Sequence, residues 1–156
     1  GPDHVRQVLA ALDSSIRTRK FSATTFTSQD AADAIGCHLG QIAKSMCVLV
    51  NGAPVVVVMS GDKRLSDSKL AKRFEVGRKK VKIAKPDECV RVFGYEPGSV
   101  APVGHRSPEV TVLLDESLRR WDEVWAAAGS CNENFPVKFD QLQRITGAQV
   151  VDCAKE

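Results

Sequence analysis

The stretch Leu39–Met59, LGQIAKSMCVLVNGAPVVVVM, holds two apolar runs, Met46–Val50 and Val55–Met59, joined by Asn51-Gly52-Ala53-Pro54. An Asn-Gly pair between two such runs predicts a β-hairpin over residues 42–59. Side chains alternate along a strand, so Ile42, Lys44, Met46, Val48 and Val50 share one face. Lys44 therefore stands at the mouth of an apolar face. A lysine so placed snorkels to water, finds an acid, or awaits an anionic ligand.

Elements of similar size surround the hairpin. Asp3–Leu12 carries a stripe of Val5, Val8, Leu9 and Leu12 and reads as a helix with Asp3 as cap. Residues 28–36 read as a second helix, with Ser28 as N-cap and Gly36 beyond its end. Ser66 or Asp67 opens a helix reaching Phe74, and Pro86 opens another reaching Phe93. Val81 and Ile83 alternate with lysines, as in an edge strand. Val110–Leu114, Glu123–Ala127, Phe135–Lys138 and Gln149–Val151 read as strands, and Phe139–Thr146 as the last helix. Strands and short helices mix without a regular βαβ repeat. The expectation is an α+β fold with a mixed, largely antiparallel sheet surrounded by short helices. A length of 156 residues suits one domain, residues 3–156, and Gly1-Pro2 reads as what a protease leaves of a purification tag.

Composition narrows the function. Hydrophobic content of 43% and charged content of 26% are ordinary for a globular protein, and no apolar run approaches the ~20 residues of a membrane span. Neither a signal peptide nor a membrane partner is expected. Five scattered cysteines without CxxC spacing suggest reduced thiols and a cytoplasmic setting, and no metal or cofactor motif is visible. The net charge of +3 is unevenly spread. Ten basic residues lie between Lys63 and Lys85 against Asp67 and Glu75 alone, whereas from Arg106 onward six basic residues meet nine acidic ones. One positive side invites a polyanion. Arg64, Lys69, Lys72, Arg73, Arg78, Lys79 and Lys80 are its expected contacts.

Two further features carry chemistry. The loop 94–104 is rich in Gly and Pro, and Gly98-Ser99-Val100-Ala101-Pro102 within it allows close backbone approach, with N–H groups to offer an oxyanion. It is not a phosphate loop, since neither G-x-x-x-x-G-K-[ST] nor G-x-G-x-x-G occurs. Asp115 follows the apolar run 110–114, where a carboxylate faces a cleft, orients a lysine, or caps the next turn. No Ser/His/Asp or Cys/His constellation is visible.

The ordered set of Gly36-Cys-His-Leu-Gly-Gln-Ile-Ala-Lys44-Ser-Met, an apolar hairpin, Ser60-Gly-Asp62, Gly98-Ser-Val-Ala-Pro102-Val-Gly104 and Val112-Leu-Leu-Asp115-Glu-Ser-Leu118 resembles the YbaK / prolyl-tRNA synthetase editing-domain superfamily over residues 22–154. The resemblance implies a metal-free, cofactor-free deacylase that edits in trans, hydrolysing amino acids wrongly attached to a tRNA, most often tRNA for proline. By motif position it implies catalytic roles for Lys44, Gly98 and Asp115, a tRNA partner bound at its acceptor end, and prolyl-tRNA synthetase as a second candidate partner. The substrate pocket would be formed by Met46, Ser99, Val100, Ala101 and Pro102, with Ser130 and Cys131 in a segment where some members carry histidine. Alanine, serine, threonine or cysteine is the expected acyl group. A non-catalytic tRNA- or synthetase-binding module is the alternative.

Overall fold

Both residues of the Asn51-Gly52 pair take positive φ, 49° and 84°, so the chain turns back on itself where the hairpin signal lies. The computed structural model describes residues 1–156. In chain order its elements are α1 (Pro2–Leu12), β1 (Arg19–Lys20), α2 (Ser28–Ile35), β2 (Ile42–Val50), β3 (Ala53–Ser60), α3 (Asp67–Arg73) and β4 (Val81–Ile83). There follow α4 (Pro86–Glu88, running into a wider turn over Cys89–Phe93), β5 (Thr111–Asp115), a 3-10 turn at Glu116–Arg120, β6 (Glu123–Ser130), β7 (Glu133–Lys138), α5 (Phe139–Thr146) and β8 (Gln149–Val151).

All eight strands join one sheet in the order β1-β7-β6-β2-β3-β5-β8, with β4 added against β2. Four of its seven pairings are antiparallel and three parallel, so the expected α+β class and mixed sheet hold. Val55–Met59 of β3 are all buried, which suits a central strand covered on both faces better than an alternating one. On one side of the sheet, Val56 and Val58 pack with Val5 and Leu9 of α1, Phe93 and Leu142. On the other, Val48, Val57 and Met59 pack with Leu70 of α3 and Val151.

The sheet forks at β2. Along one edge β2 is paired throughout with β3. Its other edge is shared: β6 pairs only at Ile42 and Ala43, and β4 only at Val48–Val50. Residues 44–46 have no strand beside them there. The fork arises because β6 carries a bulge between Ala127 and Ser130, with Gly129 at φ 91°, and a bulge bends its strand away from the neighbour.

Several local expectations need correction. The N-cap of α2 is Thr27, which forms a reciprocal capping box with Asp30, rather than Ser28. Asp3 does not cap α1; it pairs with Arg6 one turn on. Ala128-Gly129-Ser130 does not stop β6 but forms its bulge. The edge strand over 81–83 is found as expected: β4 pairs only with β2, and Ile83 faces solvent.

Candidate active site

The fork opens into a cavity of about 220 Å³. Three consecutive residues of β2, Lys44, Ser45 and Met46, line it, and the alternation of a strand sets Ser45 on the face opposite to the other two. Gly98 and Val100 of the Gly-rich loop, the segment 25–28 ahead of α2, and Asn134 of β7 complete the wall. The volume lies below the roughly 300–1,000 Å³ that encloses a drug-sized ligand, so it suits a small group rather than a whole nucleotide.

Lys44 is half-buried, and its Nζ donates to the Lys63 carbonyl oxygen. Burial lowers its pKa from the ordinary lysine value, Asp62 partly opposes this, and Arg64 adds to it. No carboxylate lies within ion-pair distance of Lys44. Asp62, the nearest in charge effect, is held by Arg120 through two bonds of 2.6 and 3.0 Å. Of the three fates open to this lysine, an acid partner is therefore absent, and the one bond its ammonium makes is to the Lys63 carbonyl.

The loop opposite is held from behind. His105 Nε2 donates to the Ala101 carbonyl at 2.8 Å, the Tyr95 hydroxyl to that of Val103, and His4 Nε2 to that of Gly104 at 2.9 Å. Burial pushes the His105 pKa down, which favours the neutral ring. With these carbonyls engaged outside, Gly98 and Val100 remain at the cavity. Gly98 sits at φ 83° directly against Phe26.

The structure thus brings together Lys44, Met46, Gly98 and Val100 of the residues expected from sequence. Ser99 turns away, its hydroxyl bonded to the Glu96 carbonyl at 2.8 Å. Ala101 is fully buried in the core, and Pro102 borders a different hollow beside Val8 and Ile145. The Ser130 hydroxyl meets Asn132, whereas Cys131 acts at one remove: its carbonyl accepts both the N–H and the hydroxyl of Thr25, which pins that wall. Thr25, Phe26, Ser28, Ser45 and Asn134 line the cavity without having been read as site residues from the sequence.

Asp115 does not line the cavity. It is 1% exposed, and its two oxygens accept the backbone N–H groups of Ser117 at 3.0 Å and Cys153 at 2.7 Å. The carboxylate caps the 3-10 turn and ties down the chain after β8, so of its possible roles capping is the one its bonds occupy. Asp115→Ala strands two buried N–H groups at about 1–3 kcal/mol each. In a chain of this size that corresponds to a Tm lower by roughly 5–15 °C. Thermal unfolding monitored by circular dichroism checks this, and Asp115→Asn, which keeps one acceptor, is expected to lose less.

The basic stretch divides into two parts. Lys69 is engaged by Asp152 at 2.9 Å, by the Ala154 carbonyl at 2.7 Å and by Glu156, and Arg73 meets Gln149. These two fasten the C-terminal segment. Arg64, Lys72, Arg78, Lys79 and Lys80 are exposed. Lys79, Lys80 and Lys82 surround a shallow hollow at the tip of the β2–β3 hairpin. That tip lies about 20 Å along β2 from Lys44, at ~3.3 Å per residue.

The structure thus combines a forked mixed sheet with a small cavity at the fork, lined by Lys44 and by Gly98 and Val100 of a pinned glycine loop. Residues 22–145 match the aminoacyl-tRNA editing domain, and the chain belongs to that family. It is 31% identical over 140 residues to the uncharacterized protein YwhH of Bacillus subtilis (strain 168), spanning 88% of this chain and 86% of that one. It is 30% identical over 151 residues to the proline–tRNA ligase of Limosilactobacillus fermentum, covering 89% of this chain but only 26% of the ligase. A solved structure described as a "putative trans-editing enzyme for prolyl tRNA synthetase" superposes with a TM-score of 0.91 at 31% identity, over 99% of this chain and 97% of the other.

Proposed function

We propose that the protein is a hydrolase that clears mischarged aminoacyl-tRNA in trans, acting on tRNA for proline that carries alanine, serine, threonine or cysteine. The observation that carries this reading is that Lys44, which has no carboxylate partner, lines the same small cavity as Gly98 and Val100. An aminoacyl ester is already activated, so water needs positioning and the tetrahedral oxyanion needs donors more than the reaction needs a strong nucleophile. Water adds to the ester carbonyl, the oxyanion collapses, and the ribose oxygen leaves with a proton as free amino acid is released. Backbone N–H groups of the loop stabilise the oxyanion, and Lys44 fixes the nearby phosphate or the developing charge. The terminal ribose hydroxyl of the tRNA, as the family resemblance implies, helps to activate water. Asp115 contributes by holding the scaffold.

A deacylation screen over alanyl-, seryl-, threonyl- and cysteinyl-tRNA for proline, with prolyl-tRNA as control, tests the proposal. Release of at least one non-cognate amino acid while prolyl-tRNA survives is the expected result. Salt-dependent tRNA binding with no release from any ester would leave a binding module instead.

The exposed cations at the hairpin tip are proposed to grip acceptor-strand phosphates, which supplies affinity without sequence reading. Reversing Arg78, Lys79 and Lys80 to Glu together is expected to raise KM for tRNA at least tenfold with little change in kcat. The slope of log affinity against log salt should flatten by about two, since each single-strand phosphate neutralised by the protein accounts for ~0.7 of it. Reversing Lys69 and Arg73 instead is expected to lower Tm by freeing the C-terminal segment while leaving that slope in place.

A further inference from the structure

Helix α1 precedes residues 22–145, which match the editing domain, and none of its side chains lines the cavity. Its polar contacts nevertheless reach two separate stretches of the lining from behind. Successive residues of a helix lie about 100° apart around its axis, so His4 and Arg6 flank Val5, which is fully buried. Val5 is seated against the bulge of β6: a Cβ built on Gly129 would lie 2.8 Å from Val5 Cγ2. On one flank the Arg6 guanidinium, itself paired with Asp3, bonds the carboxylate of Glu133, a side chain only 4% exposed. The next residue, Asn134, and its cross-strand partner Ala127 both line the cavity. On the other flank His4 Nε2 donates to the Gly104 carbonyl at 2.9 Å, at the end of the loop that brings Gly98 and Val100 to the cavity. Gly104, at φ 74°, leaves room for this approach, since a Cβ there would lie 2.9 Å from His4 Nε2. No backbone hydrogen bond joins that loop to β6 or β7.

We infer that α1 is a positioning element of the cavity, a spacer whose His4 and Arg6 hold the Gly-rich loop and the β6–β7 hairpin in fixed relation. Its value for hydrolysis rests on the deacylase reading above. A helix is stiff along its length, so a tie lost on one flank lets the whole helix shift and carries the other tie with it. The tie to Glu133 is the stronger one, because a buried carboxylate left without its cation is strongly unfavourable. The tie to Gly104 is a single hydrogen bond to a carbonyl that has no other partner on the helix. Val5 and Leu9 keep α1 docked in the core when either tie is removed, so the expected change is one of position rather than of folding.

The test reads each stretch of the lining from the opposite flank of the helix. In amide nitrogen–proton NMR spectra of the protein without substrate, His4→Ala is expected to shift the signals of Ala127 and Asn134. Arg6→Ala is expected to shift those of Gly98 and Val100. Shifts confined in both variants to the stretch beside the altered residue overturn the inference. In deacylation assays run well below Tm, each variant is expected to lose about tenfold in kcat, part of the ~10² that a ~1 Å misplacement costs. KM for tRNA is expected to stay within about twofold, a split that a loss of folded protein would not produce. The double variant should lose little more than the worse single one, because one displacement of the helix releases both ties. Normal kcat in both folded single variants overturns the positioning role, and so do losses that multiply. His4→Gln, which keeps a side-chain N–H for the Gly104 carbonyl, is expected to restore both spectrum and rate. His4→Ala removes one exposed ring and carries the test alone if Arg6→Ala fails to fold. If the wild-type protein hydrolyses no ester, the deacylase reading fails separately, and the spectra decide the spacer.

Discussion

Replacing Lys44 with alanine is expected to lower kcat/KM for ester hydrolysis by at least about 10²-fold, the scale of removing one pre-positioned electrostatic group from the transition state. Stability is expected to behave differently. Burial holds the Lys44 pKa below the ordinary lysine value, so its charged form is less favourable in the folded chain than in the unfolded one. A lysine with a depressed folded pKa costs stability at every pH low enough to keep it charged, and the cost fades as pH rises through that depressed value. Removing the ammonium at neutral pH should therefore leave Tm level or raise it, since its only hydrogen bond in the fold is to the Lys63 carbonyl. Activity lost without stability lost is the mark of a group retained for function. Rates measured above the uncatalysed background should also decline on the alkaline side at a pH below that of an exposed lysine. Lys44→Arg keeps the charge but replaces a compact ammonium by a planar fork, so partial activity is expected. Single-turnover deacylation with matched thermal melts checks all of these. Full turnover by Lys44→Ala would remove the lysine from the mechanism.

The placement of this lysine was legible in the sequence because the hairpin was. Asn51-Gly52 between two apolar runs forces both turn and register, and register puts Lys44 on the face of Met46 and Val48. Helix α5 and strand β8 were equally plain, each bounded by local signals such as Gly147 in the left-handed conformation at φ 64°. What lay hidden depends on long-range pairing. The bulge in β6 reads locally as a strand end, because Gly129 punctuates either one. Yet the bulge is what separates β6 from β2 and creates the cavity. Asn134 had no signal of its own, being a polar residue in a short strand whose neighbours only the sheet reveals. Ser45 was visible as a polar interruption of an apolar run, but the period-two rule assigns it to the face away from Lys44, and only the fork lets both faces meet. Lys69 and Arg73 looked like the rest of a basic run. Their partners lie some eighty residues away in sequence, beyond any local pattern. The five-residue motif Gly98–Pro102 stands out as a unit, though only Gly98 and Val100 of it reach the cavity.

Gly98→Ala is expected to be the second large loss, and its cause can be isolated. The residue sits at φ 83°, a conformation that costs an L-residue about 1–2 kcal/mol. A Cβ built there would lie 2.7 and 2.8 Å from two ring carbons of Phe26 and 2.9 Å from the Phe26 carbonyl oxygen. The ring, about half exposed, can swing aside. The carbonyl belongs to the backbone of the opposite wall and cannot, so the loop itself must shift. Displacement of a positioning element by even ~1 Å can cost about 10² in rate. A fall of that order in kcat/KM is expected, with Tm lower by only a few degrees. Gly147→Ala supplies the comparison: it meets the same conformational cost at φ 64°, but nothing lies within 4 Å of the added methyl. It should lose similar stability and no activity, because additivity holds for sites without shared partners. If Gly98→Ala and Gly147→Ala lose stability alike and turnover is normal in both, the loop is scaffold and the oxyanion donors lie elsewhere. If only Gly98→Ala loses turnover, the effect belongs to the approach of backbone to substrate. In that case Phe26→Ala, which clears the ring but leaves the carbonyl, should restore little of the lost rate when combined with Gly98→Ala.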